Sequence, residues 1–302
     1  MAEDMVFLPK SDVLTLEELY ELSMAFIARG VRRIRLTGGE PLVRKNIMWL
    51  ITALGNQVRQ NLLDEVTLTT NGTQLPGMAT DLYEAGVRRI NVSLDTLSAE
   101  NFKAISRRDK LETVLDGIKA AKNAGLQVKI NTVAMRNFNE DEIPELVDWA
   151  AGEGFDLTLI ETMPLGDVQG GRDSSYLPLT AVKSQLDQRF TLNPSDHRTG
   201  GPARYFTVDN TASRLGLITP LTNNFCDGCN RVRVTCTGRI YMCLGQDDHI
   251  DLRAALRSDN KSENLNEYLD QAMGLKPKGH DFAVSDGEMI GKVNRHMSQT
   301  GG

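Results

Sequence analysis

In its first half the chain repeats one unit: an amphipathic helix, a glycine, a short apolar strand and a polar strand end. Thr15 and Glu18 have the spacing of a capping box. Leu16, Leu19, Leu22, Phe26 and Ile27 form the apolar stripe of a helix stopped by Gly30. A strand over Val31–Leu36 follows. Later helices end at Gly86, Gly125 and Gly154 and feed strands near Arg88–Leu94, Gln127–Val133 and Asp156–Thr162. A further strand lies near Glu65–Thr69, and Gly-Val-Arg-Arg-Ile stands at both Gly30–Ile34 and Gly86–Ile90. Strands alternating with helices predict a parallel sheet, closed or partly closed into a barrel.

The phase of these strands carries more information. Ile34, Leu36, Val66, Leu68, Ile90, Val92, Leu94, Val128 and Ile130 share one parity and are expected to face the helices. The other parity carries Arg35, Thr37, Thr67, Thr69, Asn91, Ser93, Lys129 and Asn131. An ordinary packed barrel is apolar on both strand faces. Here the inner face would be polar, which implies a large hydrophilic ligand inside. The other arrangement with one wet face is an antiparallel sheet, which the intervening helices disfavour. Barrel enzymes place their working residues at the C-terminal strand ends. Those ends read Thr37–Pro41, Thr69–Gly72, Ser93–Asp95, Asn131-Thr132 and Glu161–Met163, and each offers hydrogen-bonding groups.

The pattern changes near Pro164, where a glycine-rich loop (Gly166–Asp173), a short helix (Thr180–Gln188) and a turn-rich stretch (Arg198–Pro220) suggest a second, smaller unit. No run is apolar and long enough for a membrane span, and no secretory signal opens the chain, so a cytoplasmic location is the expectation. A net charge of −6 argues against a nucleic-acid surface.

Thr37-Gly38-Gly39-Glu40-Pro41 is neither a Walker loop nor a dinucleotide fingerprint. Two glycines after a strand let a ligand approach the backbone, and Glu40 can pair with an ammonium; an ordinary turn with an exposed glutamate fits equally well. The four cysteines are Cys226, Cys229, Cys236 and Cys243. Taken alone, four thiols also suggest tetrahedral zinc. The residues around Thr237-Gly238 have the look of a hairpin, placing Cys236 at the turn, about 13 Å of strand from Cys243. Cys226, Cys229 and Cys243 are then the better set, with Cys236 a small buried hydrophobe. Three thiolates on an iron–sulfur cube leave one iron open. Arg231 and Arg233 stand beside this set and suit phosphate; a solvated strand face is the alternative. His197, His249, His280 and His296 are isolated and expected to be solvated or structural.

Ile-Arg-Leu-Thr-Gly-Gly-Glu-Pro-Leu, Leu-Thr-Thr-Asn-Gly, Ile-Asn-Val-Ser-Leu-Asp, Val-Lys-Ile-Asn-Thr-Val and Cys-Asp-Gly-Cys-Asn-Arg-Val-Arg, in this order, resemble the GTP 3′,8-cyclases, radical S-adenosylmethionine enzymes of molybdenum cofactor biosynthesis. The resemblance implies an α/β fold: a radical-SAM-type partial (βα)6 TIM barrel over residues 1–163 and a C-terminal α+β iron–sulfur domain over 164–302. It implies that Gly38, Gly39, Ser93 and Met163 line the S-adenosylmethionine site, with Glu40 on the methionyl ammonium. Arg35, Thr69, Lys129, Arg231 and Arg233 would reach GTP. Cys226, Cys229 and Cys243 would hold a [4Fe–4S] cluster whose open iron meets the guanine, and the Gly301-Gly302 tail would support turnover. The partners implied are GTP, an electron donor and a downstream cyclic pyranopterin monophosphate synthase accessory enzyme. No nucleic acid and no membrane are implied, and a homodimer is allowed.

Two departures stand out. The family holds a second [4Fe–4S] cluster on a CxxxCxxC loop after its first barrel strand, and no cysteine precedes Cys226 here. The expectation is that this strand and loop belong only to a full-length chain, that the 302 residues alone do not cleave S-adenosylmethionine, and that the strand at Val31–Leu36 exposes an edge. Thr158 stands where the family usually has an arginine. The alternatives are a GTP- or cluster-binding remnant without radical chemistry, or a zinc-stabilised α/β binding protein.

Overall fold

The computed structural model describes residues 8–166, 175–285, 288–291 and 293–301. The first half alternates as its periodicity predicts: α1 (Leu16–Ala28), β1 (Arg33–Leu36), α2 (Ile47–Arg59), β2 (Glu65–Thr70), α3 (Leu75–Glu84) and β3 (Arg89–Ser93). Then come α4 (Ala99–Ser106), α5 (Leu111–Asn123), β4 (Gln127–Ala134), α6 (Ile143–Glu153) and β5 (Asp156–Glu161). The second half holds α7 (Leu179–Leu186), β6 (Leu192–Ser195), β7 (Arg204–Val208), β8 (Arg214–Ile218), β9 (Arg233–Val234) and β10 (Arg239–Tyr241). It closes with β11 (His249–Asp251), α8 (Leu252–Leu256), α9 (Lys261–Gly274), β12 (Ala283–Ser285), β13 (Glu288–Ile290) and α10 (Met297–Thr300). Except for Gly166, the expected glycine-rich loop falls outside the described residues.

The main sheet is open and eight-stranded, in the order β1-β2-β3-β4-β5-β8-β7-β6, parallel from β1 through β8 and antiparallel at β7 and β6. It therefore runs past residue 163: the turn-rich stretch supplies β7 and β8, which with β6 just before it extend the barrel wall. β1 forms one edge of the sheet and is shorter than expected, because Val31 N–H still bonds to Phe26 O as the chain leaves α1.

The strand phase holds. Val66, Leu68, Ile90, Val92, Val128 and Ile130 are buried in one core with Leu50, Ile51 and Leu54 of α2 and Val114 and Ile118 of α5. Polar residues of the opposite parity meet across the sheet: Arg35 is in register with Thr67 and Thr67 with Arg89, and Thr69 pairs with Asn91 and Asn91 with Lys129. The result is a run of parallel strands whose inner face is polar yet largely buried.

α1 starts on the capping box read from its sequence: Thr15 Oγ1 accepts from Glu18 N–H and Glu18 Oε2 accepts from Thr15 N–H. Its stripe divides between two cores. Leu16 and Ile27 pack on the barrel side, whereas Leu22 and Phe26 join Ile240, Met242, Leu252, Leu265 and Leu269 in a second core. Ion pairs Arg257–Glu18 and Lys261–Glu21 and the bond from Leu14 N–H to Cys236 O reinforce that join. The first helix thus ties the barrel to the small sheet β11-β10-β9 that carries the cysteines.

Candidate active site

The candidate site lies where the polar sheet face meets the residues around the β9–β10 hairpin, close enough for Arg231 to act on the charge of Arg35. Three groups aimed from the strands lack partners among the described residues: Arg35 Nε, Asn131 Oδ1 and Thr158 Oγ1 are all buried without a hydrogen bond. Orphaned buried polar atoms are costly and rare, so a cluster of them on one face marks a place that a polar ligand completes. Lys129 is buried, makes no ion pair among the described residues, and has one long hydrogen bond, 3.4 Å to Tyr205 OH.

The cations of the two halves face one another. Burial lowers the guanidinium of Arg35, and the charges of Arg89 and Arg231 lower it further. Burial, then Arg35 and Arg89, pull Lys129 down to about 7. Burial and Arg231 pull Arg233 down to about 10, against the opposing pull of Cys229 and Cys243. Carboxylates in reach are already committed: Glu65 is paired with Arg89 and Asp156 with Arg214. Positive charge gathered in a hollow without matching anions is a polyanion site in waiting.

At the C-terminal ends of the strands, Gly38 adopts φ +135 and a methyl built on it meets nothing within 4 Å, so the backbone there lies open to a ligand. Glu40 does more than the sequence suggested. Its Oε1 accepts from Leu42 N–H and Thr70 Oγ1–H, and its Oε2 accepts from Asn71 N–H at 2.6 Å. The carboxylate staples the glycine loop to the end of β2. Thr69 sits near the end of β2 and Ser93 is exposed at the end of β3. Met163 packs with Leu165 and Val293 just beyond β5. Gly301 lies against Thr37, which brings the C-terminal segment to the same rim; Gly302 is outside the described residues.

The hairpin geometry read from the cysteine spacing is present: Val234 pairs with Ile240 and Arg233 with Tyr241, antiparallel, with the turn at Thr237-Gly238. Cys226, Cys229 and Cys243 are partly buried, and Cys229 and Cys243 lie near enough to Arg233 to act on its charge. Cys236 is not the buried hydrophobe expected. It is exposed, because it occupies the turn and only its carbonyl is used, by Leu14. Burial acts to raise the Cys229 thiol, but the N–H and charge of Arg231, helped by Lys276, hold it below the usual range. Cys226 Sγ lies beside Gly279, where a side chain would crowd it. Among the described residues, no three His, Cys, Asp or Glu side chains converge tightly enough for one metal ion. The donors at the hairpin are partly buried thiols, with Arg231 and Lys276 acting on Cys229 and Arg233 beside Cys229 and Cys243, ligands of the kind an iron–sulfur cluster takes.

Each of the four histidines has a neighbour of its own, and His249 is exposed. His197 stands edge-on to Tyr205, His249 Nδ1 meets Asp247 O, His280 Nδ1 accepts from Phe282 N–H, and His296 lies against Gly166. Sequence reasoning missed Arg89 and Tyr205. Arg89 was legible from the strand parity it shares with Asn91; Tyr205 was hidden in a stretch without periodicity.

A GTP 3′,8-cyclase from Rhizobium meliloti (strain 1021) is 60% identical over 302 residues, covering 100% of this chain and 86% of the relative. One from Erythrobacter litoralis (strain HTCC2594) is 59% identical over the same span and covered to 90%. The chain belongs to the GTP 3′,8-cyclase family. In keeping with that membership, the Radical SAM superfamily profile matches residues 3–150 and the Molybdenum Cofactor Synthesis C profile residues 155–282. Among solved structures, Streptococcus suis SuiB bound to S-adenosylmethionine superposes with a TM-score of 0.59 at 16% identity, over 91% of this chain and 62% of SuiB. Unbound SuiB gives 0.58 at 15% identity, over 82% and 59%. This chain spans less than two thirds of those SuiB chains, and the likeness shows that the GTP 3′,8-cyclase family member shares their open-barrel fold. Among the described residues no helix is long and apolar enough to cross a membrane.

Proposed function

We propose that this chain cyclises GTP to (8S)-3′,8-cyclo-7,8-dihydroguanosine 5′-triphosphate, the first step of molybdenum cofactor assembly. The observation that carries the reading is the unmatched cationic hollow of Arg35, Lys129, Arg231 and Arg233, facing three partly buried thiols. GTP brings about four negative charges, which offset the cost of burying those cations.

In this reading the unit over 1–163 supplies the S-adenosylmethionine rim and the unit over 164–302 the cluster. Gly38 and Gly39 let S-adenosylmethionine approach the backbone, Glu40 uses its remaining lone pair for the ammonium, and Ser93 and Met163 flank it. Arg35, Thr69 and Lys129 grip GTP from the wall, and Arg231 and Arg233 close from the hairpin. Cys226, Cys229 and Cys243 would hold a [4Fe–4S] cluster with one iron free for the guanine. S-adenosylmethionine held at the Gly38-Gly39 rim would, on one-electron reduction, supply a 5′-deoxyadenosyl radical able to take the ribose 3′ hydrogen; forming the C3′–C8 bond would then call for one further electron and a proton at N7. The chain's own share is to hold C3′ toward the rim, keep C8 within reach of it and exclude water. Arg35, Lys129, Arg231 and Arg233 hold the phosphates from two sides, so the ribose between them has little freedom to turn. Electrons come from a separate donor, and the product passes to a cyclic pyranopterin monophosphate synthase accessory enzyme.

The test is anaerobic iron–sulfide reconstitution, followed by GTP, S-adenosylmethionine and a reductant, with mass spectrometry for an isomer of GTP. That isomer confirms the activity. Because no cysteine precedes Cys226 in these 302 residues, the isomer is expected only from a chain that also carries the CxxxCxxC loop; such a chain binding GTP without forming the isomer points to a binding remnant, and failure to bind GTP overturns the reading altogether.

A further inference from the structure

Tyr205 lies on β7, one of the strands that extend the barrel, and is 2% exposed. Its hydroxyl stands between two groups, 3.4 Å from Lys129 Nζ and 3.4 Å from Thr199 Oγ1. The ring is braced by His197, edge-on at 4.8 Å between centroids, and by Gly216, where a methyl would come within 3.0 Å of Tyr205 Cε1. The hydroxyl is therefore fixed by packing rather than by its own bonds. Its bond to Lys129 is long and neutral on the acceptor side, which makes it weak and easily exchanged for a charged oxygen.

The groups around Lys129 come from every neighbouring element. Arg35 on β1 and Arg89 on β3 repel its charge; Glu65 on β2 and Asp156 on β5 attract it but are held by Arg89 and Arg214. His197 and Thr199 from the β6–β7 loop stand at the same end of the hollow, with His197 held below its usual range mainly by burial. A cavity of about 340 Å³ opens beneath Lys129 at the N-terminal ends of the strands, lined by Arg33, Glu65, Arg89, Asp156 and His197 among others. A buried amine with two arginine neighbours and no free carboxylate is poorly charged while the hollow holds only water, and fully charged once a phosphate lies against it.

We propose that Tyr205 is a positioning residue that presents Lys129 to the phosphate chain of the substrate, and that the substrate enters together with one proton taken from solvent onto Lys129 Nζ. Tyr205 fixes where the amine sits; the incoming phosphate, not the tyrosine, provides the charge that holds the proton. This inference rests on GTP being the ligand.

The experiment is calorimetry of GTP binding to the anaerobically reconstituted full chain, in two buffers of different ionisation enthalpy, at a pH between 7 and 10.5. The wild type is expected to take up close to one proton per GTP. Lys129→Met removes the uptake and weakens binding; Lys129→Arg, always protonated, binds GTP with no uptake. Tyr205→Phe keeps the ring packing and loses only the hydroxyl, so it weakens binding about three- to ten-fold. Circular dichroism checks that it folds, and Thr199→Val, which frees the hydroxyl from its second partner, serves if it does not. Thr199→Val is expected to weaken GTP binding less than Lys129→Met does while leaving proton uptake in place. Wild-type uptake that persists in Lys129→Met, or a Tyr205→Phe affinity equal to wild type, overturns the inference while leaving GTP as substrate. No GTP binding by the wild type removes the function reading instead.

Discussion

The α-carbon of Gly301 rests against Thr37: a methyl group built on that glycine would come within 1.7 Å of Thr37 Oγ1 and 2.6 Å of its Cβ. The two residues are 264 positions apart in the chain, and their contact places the C-terminal segment on the rim that begins the Gly38-Gly39 loop. Upstream, buried Arg295 fastens the same segment by donating to Leu244 O at 2.8 Å and Gln246 O at 3.1 Å, with its guanidinium 4.0 Å over the Tyr241 ring.

Gly301→Ala therefore cannot keep this contact. At φ +72 the backbone is also in a region that L side chains rarely adopt. The expected outcome is displacement of residues 297–301 with little change in global stability, because the packing of Val293 with Leu165 lies upstream. Faster proteolysis at the C-terminus with an unchanged melting temperature would show it; unaltered proteolysis would count against the contact.

Glu40 accepts three hydrogen bonds that join the glycine loop to β2. Glu40→Ala leaves the amides of Leu42 and Asn71 without that acceptor and is expected to cost about 2–4 kcal/mol. Hydrogen exchange should accelerate at these two amides before it does in the core. Equal protection in mutant and wild type would show the staple to be idle.

Asp95 Oδ1 accepts Val133 N–H at 2.8 Å, joining the ends of β3 and β4, and burial pushes its carboxyl up to about 6 against the pull of that bond. A carboxyl raised in the folded state stabilises fully below its ordinary 3.8, and that contribution is lost as pH climbs through about 6. Asp95→Asn keeps the acceptor and removes the titration. It is expected to be more stable than wild type above pH 6, by up to about 3 kcal/mol, with the gain vanishing near pH 4. A gain that does not depend on pH would contradict the assignment.

The cysteine assignment separates by position. Cys236, exposed at the hairpin turn, is expected to tolerate serine with no change in bound iron after reconstitution. Cys229→Ser removes a thiol whose pKa Arg231 helps to lower and is expected to abolish that iron. Equal losses from the two variants would mean that the ligand set is wrong.

The sequence revealed most of the barrel and about half of what surrounds its lumen. Period-two strands with charged or amide residues at alternate positions, such as Arg35 and Lys129, are visible because a parallel sheet otherwise has no reason to be polar inside. The hairpin around Gly238 was legible for a similar local reason. Three things were not. The role of β6–β8 depends on pairing between Thr158 and Gly216, and nothing local encodes which edge a strand joins. Cys236 was misplaced because spacing tells how far a residue is from its neighbours but not which way it faces at a turn. The split of α1 between two cores was invisible because one apolar stripe looks the same whichever partner it buries against.

The measurement that bears most directly on the whole scheme compares GTP with guanosine as ligands of the anaerobically reconstituted chain. A hollow in which Arg35, Lys129, Arg231 and Arg233 await phosphate predicts GTP binding on the order of 100-fold tighter or more, with most of that advantage lost in Arg35→Met. Guanosine binding as tightly as GTP, or an Arg35→Met variant that keeps the full preference, would contradict it.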